Sequence, residues 1–210
     1  MIKKIAIMST LISSLAYAEV QQKGFFVGVD YAAKSVNLKY ENTVTGFAYN
    51  GYNATPSDNT LSYKVGYQYY FTRVYARIAQ FDYHDTAKNR YSIDGTTYEL
   101  NAEYLPVFYM AKSKKWDLRG FVGIGVGYNR NRLYNYNIGL LPVAPLTGEN
   151  QSYIEYGWQL GAMVETEIGV SVELGMRARK GDLMEFSDST NEATFLYDTT
   201  EYYLGINYLF

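Results

Sequence analysis

Cysteine is absent from this 210-residue chain. Its absence excludes disulfides, thiolate metal centres, iron–sulfur clusters and thiol chemistry, and leaves no residue to carry a lipoprotein acyl anchor. A basic surplus is also lacking. Nineteen Lys and Arg stand against 21 Asp and Glu, the wrong balance for a general nucleic-acid binder. Proline occurs only four times, so little interrupts a continuous strand. After residue 18, no apolar run approaches the roughly 20 residues that a membrane-spanning helix needs. Neither a phosphate-binding loop nor a metal-ligand spacing is present, so no cofactor is expected.

The first 18 residues read as a secretory signal peptide. Lys3 and Lys4 form a positive start, Ile5 to Leu15 is mostly apolar, and Ala16-Tyr17-Ala18 ends in a small-x-small cleavage site after Ala18. Ser9, Thr10, Ser13 and Ser14 interrupt the apolar stretch, which is too short for a membrane anchor. The expected organisation is residues 1–18 as signal and 19–210 as one domain. Without Lys3 and Lys4, 17 basic residues remain against 21 acidic ones, a net of −4.

Tyrosine is abundant, at 24 residues, and its apolar ring with a polar tip suits the boundary between lipid and water. Alternation with a period of two runs through almost the whole remaining chain. Leu61, Tyr63, Val65, Tyr67, Tyr69 and Phe71 share one face, with Ser62, Lys64, Gly66 and Gln68 on the other. Similar runs occupy 98–110, 116–128, 154–165, 170–179 and 201–210, with less regular ones at 24–40 and 74–83. Eight strands result. In the 24–40 run the apolar parity switches after Tyr31, and a bulge near Ala32–Ser35 reconciles its halves. Thr72-Arg73, Ala111–Lys115 and Glu167–Gly169 read as tight turns. Residues 41–59, 84–95, 131–150 and 182–197 read as long polar loops, and Asp94-Gly95 within the second is a type I′ hairpin signal. An even strand number with short turns at one end and long loops at the other is the pattern of an outer-membrane barrel.

Glycine decides which face looks outward. Gly28, Gly66, Gly123, Gly125, Gly127, Gly157, Gly161, Gly175 and Gly205 share the parity of the charged residues; Gly120 does not. Glycine on a solvated strand face weakens the strand without return. Inside an eight-stranded barrel the side chains fill the lumen, and long Glu and Arg residues need small neighbours. The apolar face then meets lipid. The fold class expected is all-β: a closed, antiparallel, up-and-down, eight-stranded transmembrane β-barrel. Pro106 falls within a strand and requires a local bulge, because a closed barrel has no free edge.

With Phe210 aromatic, on the outward parity and at the end of an alternating run, the C-terminal segment resembles the assembly signal of bacterial outer-membrane barrels. By architecture rather than residue identity, the mature chain is similar to the small OmpA-like and OmpX-like barrels. That resemblance implies a Gram-negative outer-membrane location. It also implies contact with outer-membrane lipid and lipopolysaccharide, and handling by periplasmic chaperones and the barrel-assembly machinery, which reads Phe210.

The candidate site is the charged face turned inward: Asp30, Lys64, Arg77, Glu99, Glu103, Arg119, Glu155, Glu165, Glu173, Arg177 and Arg179. In a narrow lumen such charges must pair, because an unpaired buried charge costs several kcal/mol. The leading expectation is a non-enzymatic structural barrel with a salt-bridged, largely plugged lumen. Its surface loops contact host or cell-surface ligands. The alternative is a small pore or transporter. A lipid-modifying enzyme rests on fold analogy alone, since His84 is the single histidine and no serine stands in a catalytic motif beside it. Asp182, Glu185, Asp188 and Glu192 give one loop an acidic run that reads as solvated or as bridging divalent cations to lipopolysaccharide. The apolar stretch 138–146 reads as a contact surface or as rim packing.

Overall fold

The computed structural model describes residues 23–42, 48–53, 58–84, 92–110, 115–134, 150–188 and 191–210, with side chains for 23–35, 59–82, 94–109, 115–132, 152–181 and 198–210. The strands are β1 (Lys23–Asn42), β2 (Ala48–Asn53), β3 (Asp58–Tyr69), β4 (Thr72–His84), β5 (Ser92–Tyr104), β6 (Val107–Met110), β7 (Trp116–Tyr134), β8 (Asn150–Thr166), β9 (Val170–Asp188) and β10 (Asn191–Leu209). All neighbours pair antiparallel in the order β1-β3-β4-β5-β7-β8-β9-β10, and β10 returns to β1 from Phe26↔Leu209 to Asn42↔Ala193. β6 continues the wall position of β5 against β7, and β2 pairs the far half of β1 beyond the end of β3. Among the described residues, eight wall positions thus close on themselves. Closure removes sheet edges, the condition for strands to cross a membrane with every backbone group paired.

Side-chain burial is inverted relative to a water-soluble protein. The largest fully buried side chains include Arg73, Arg77, Arg119, Arg177 and Arg179, whereas Phe25 is 68%, Ile124 70% and Leu174 66% exposed. Charged residues are almost never fully buried without partners in a soluble fold, and such an apolar girdle would not stay in water. The exposed band carries Tyr67, Tyr69, Tyr109, Trp116 and Tyr208 towards the end with short turns, and Tyr98, Tyr128 and Tyr156 towards the other. This is an aromatic belt at each interface.

Several local expectations need correction. The tight turn after β3 is Tyr70-Phe71, not Thr72-Arg73. Tyr70 takes a positive φ of 54°, and the Thr72 hydroxyl donates to the Tyr69 carbonyl at 3.0 Å. Arg73 is therefore a strand residue. No bulge lies at Ala32–Ser35: β1 runs in unbroken register with β3 through Lys34↔Asp58 and with β10 throughout. Its one irregularity is against β2, between Leu38 and Tyr40. Asp94-Gly95 is no turn either, since it pairs with Asp82 and Phe81 inside β5. The residues that connect β4 to β5, 85–91, lie outside the described residues. The stretch 182–197, read as a long loop, is mostly paired strand up to Asp188↔Asn191. Strand pairing overrode the polar composition, because cross-strand hydrogen bonds do not require apolar side chains. Pro106 behaves as expected: the strand is interrupted at Leu105-Pro106, and the register against β7 shifts between Val107 and Tyr109. At the β8–β9 turn, Gly169 adopts φ +83°, a conformation that side chains rarely tolerate.

The expected signal peptide, the Ala18 cleavage site, the apolar stretch 138–146 and most of Ala111–Lys115 lie outside the described residues.

Candidate functional site

Alternation delivers every second residue of each strand to the interior, and among the described residues fourteen acidic and basic side chains meet there. Seven are acids (Asp30, Glu99, Glu103, Glu155, Glu165, Glu173, Glu201) and seven are bases (Lys34, Lys64, Arg73, Arg77, Arg119, Arg177, Arg179). All ten charges expected from the sequence to share one network are buried, together with Asp30.

Ten of the fourteen form a closed circuit in the middle of the barrel. Arg77 joins Glu99 at 2.7 Å to Glu201 at 2.8 Å, and Arg177 joins Glu201 at 2.9 Å to Asp30 at 3.4 Å. Lys64 joins Asp30 at 2.7 Å to Glu173, and Arg73 joins Glu173 at 2.9 Å to Glu103, to which its Nε donates at 2.6 Å. Gln159 closes the ring. Its Nε2 donates to Glu103 at 2.6 Å, its Oε1 accepts from Arg179 at 2.7 Å, and Arg179 reaches Glu99 at 3.3 Å. Five acids face five bases around the ring, and Lys34 joins it as a further base through Glu201 at 3.6 Å. Tyr75 donates to Glu103 at 2.8 Å, and Asn207 to Glu173 at 3.1 Å. Each carboxylate thus meets at least two cations or polar donors, the condition under which buried ions repay their desolvation, although Asp30 Oδ1 makes no hydrogen bond.

Among the described residues two links span the whole lumen, the Gln68–Glu165 hydrogen bond and one ion pair. Arg73 is on β4 and Glu173 on β9, which stand four positions apart in the eight-membered ring and therefore face each other across it.

The expected single network is in fact divided. Arg119 and Glu165 meet at 2.8 Å as a separate pair nearer the short turns. Arg119 also donates to the Tyr70 carbonyl at 3.2 Å, and Gln68 to Glu165 at 3.0 Å. Glu155 joins no ion pair among the described residues; its Oε2 is buried without a hydrogen-bond partner. It lies against Gly127 opposite Glu99, towards the other mouth.

Arg73, Glu201 and Lys34 were not among the charges singled out from the sequence. The signal for Arg73 was its spacing of four from Arg77, hidden by the misplaced turn. Glu201 already stood on the inward parity. The aromatic part of the lumen packing was also missed. Phe121, between Arg119 and Gly123 on the inward parity, lies over Gly161 and Gly175 beside Tyr203, where a Cβ on either glycine would collide with its ring. The guanidinium of Arg177 stands 4.3 Å from the Tyr203 ring centre, and that of Arg73 lies 5.3 to 5.6 Å from the rings of Phe26, Tyr75 and Phe121. Close packing of Gly125 against Arg179 and Asn101 is what lets the longest side chains fit.

His84 ends β4, and its side chain lies outside the described residues, as do those of Asp182, Glu185, Asp188 and Glu192. Phe210 is described: its ring is 71% exposed, edge-on to Tyr208 at 4.9 Å, and its N–H donates to the Phe25 carbonyl at 2.8 Å.

No protein-family model matches the chain, and no curated protein matches it. Among solved structures, the chain is similar to the crystal structure of Neisserial surface protein A (NspA), at 14% identity over 90% of this chain and 100% of that one, with a TM-score of 0.51. Similarity extends to outer membrane protein AlkL, whose structure was determined in DMPC bilayers (14% identity, 92% of each chain, TM-score 0.48), and to OprG from Pseudomonas aeruginosa (13%, 90% and 98%, TM-score 0.43). The likeness to NspA is one of fold. A closed eight-stranded wall of this fold, with its charges inside and its aromatic-belted apolar band outside, is a small bacterial outer-membrane β-barrel, and the outer membrane is where the protein resides.

Proposed function

We propose that the protein is a non-enzymatic structural barrel whose lumen is closed by its charge circuit and whose outer strand extensions form a contact surface for host or cell-surface ligands. The observation that carries this reading is the Arg73–Glu173 bridge between opposite walls, backed by the closed circuit around it. Strand length supports the contact surface. β1, β9 and β10 run 20, 19 and 19 residues, whereas a tilted strand needs only about 9–11 to cross the hydrocarbon core. The excess lies at the end with the long connections, which we read as the cell exterior. Residues 1–18 act as the export signal, cut after Ala18, and Phe210 acts as the signal to the assembly machinery. The experiment has two arms. Liposomes containing the folded protein should retain a small trapped ion, and cells displaying it should lose surface contact when 135–149 is shortened. Rapid release of the ion would favour the pore reading, and unchanged contact would remove the adhesive one.

A further inference from the structure

The outer wall carries, between two register rows of four neighbouring strands, an abrupt change from apolar to polar that the lumen does not explain. Antiparallel register aligns Ile78, Tyr98, Tyr128 and Ile154 in one outward row across β4, β5, β7 and β8. The next outward row towards the long connections is Gln80, Thr96, Arg130 and Ser152. Arg130 and Ser152 are exposed and Thr96 half-buried. A groove of about 620 Å³ opens along this row and the next one outward, lined by Gln80, Thr96 and Arg130 and by Asp82, Asp94 and Arg132.

Arg130 differs from the other outward cations at this end. Lys180 stands directly opposite Asp198, and Arg132 opposite Asp94, with Asp82 on the next strand. The direct neighbours of Arg130 are the two hydroxyl residues Thr96 and Ser152. Strands lie about 4.8 Å apart, so both hydroxyls stand within roughly 5 Å of the arginine row position. A guanidinium binds phosphate through paired N–H donors, and Ser and Thr hydroxyls supply further donors. The site sits one residue pair, about 7 Å of strand, beyond the Tyr98–Tyr128 belt. That belt marks the interface, so Arg130 is at the depth of lipid phosphates rather than of acyl chains.

We propose that Arg130, Thr96 and Ser152 bind a phosphate of the phosphorylated glycolipid that forms the outer leaflet around the barrel. The proposal rests on the orientation given under the proposed function.

The test uses the full folded barrel in neutral detergent micelles. Purified lipid A is added with its phosphates present or enzymatically removed, and lipid retention is read by native mass spectrometry. Wild-type protein should bind the phosphorylated form at least about fivefold more tightly, the factor expected of one basic group at a charged lipid surface. Arg130→Gln should abolish that preference, Arg130→Lys should keep part of it, and Thr96→Val with Ser152→Ala should reduce it. An unchanged preference in Arg130→Gln overturns the site. Equal or better competition by phosphatidylglycerol overturns the outer-leaflet assignment. Cysteine labelling in intact cells reports a reversed orientation independently of any lipid, so the two failures are separable.

Discussion

Arg177 and Glu201 face each other directly across β9 and β10, and their side chains meet at 2.9 Å with both groups buried. Arg177 also reaches Asp30 and covers the Tyr203 ring, so it ties three adjacent strands. Replacing it by Ala strips from the circuit the cation that Asp30 and Glu201 share. The expected cost is about 3–5 kcal/mol, the usual penalty for leaving a buried charge without its partner. Urea titration of the folded barrel in micelles, followed by heat-modifiable migration, reads this loss. A midpoint within error of wild type would mean that the circuit contributes nothing to stability.

Glycine packing offers a second handle, with a built-in contrast. At Gly161 a side chain would strike the Leu174 carbonyl and the Phe121 ring inside the barrel. At Gly120 its nearest contacts would be with the Phe108 ring, on the outer face. Gly161→Val should therefore destabilise the barrel by about 1–3 kcal/mol as overpacking does, whereas Gly120→Ala should cost less because Phe108 can swing into lipid. Equal costs in the same titration would count against the assignment of faces.

That assignment was legible in the sequence because it needed only the period of two and the position of glycines relative to charges. The eight wall strands follow from the same pattern. What could not be read were events that pattern does not encode. The Tyr70-Phe71 turn carries no Gly, Asn or Asp to mark its positive φ, and this hid Arg73. Asp94-Gly95 looks like a hairpin turn but is held in the strand by partners on both sides. The division of the charges into a central circuit and a separate Arg119–Glu165 pair depends on which strands oppose each other across the lumen. That is a property of closure and stagger, not of any one strand. The outward row at Arg130 likewise exists only once register is fixed.

Deletion of Phe210 tests the assembly role. The residue pairs with Phe25 through one backbone hydrogen bond, so its removal should disturb the finished barrel little. The folded fraction in the outer membrane should nevertheless fall sharply, with the protein still reaching the periplasm. A normal folded fraction in the deletion strain would leave Phe210 as an ordinary lipid-facing aromatic.

Orientation is tested by single cysteines in the cysteine-free chain. A membrane-impermeant maleimide added to intact cells should label Thr147→Cys and Ser189→Cys but not Ser113→Cys. Labelling of the last in sealed cells would invert the barrel.

Planar-bilayer recording of the purified wild-type protein tests the closed lumen most directly. With Arg73 bridged to Glu173 across the full width and ten charges paired in one circuit, membranes containing the barrel should show no steady conductance above the lipid baseline. Arg73→Ala, which opens that bridge, should add conductance or flickering. Steady single-channel currents from the wild type, unchanged in Arg73→Ala, would contradict the plug and make this barrel a pore.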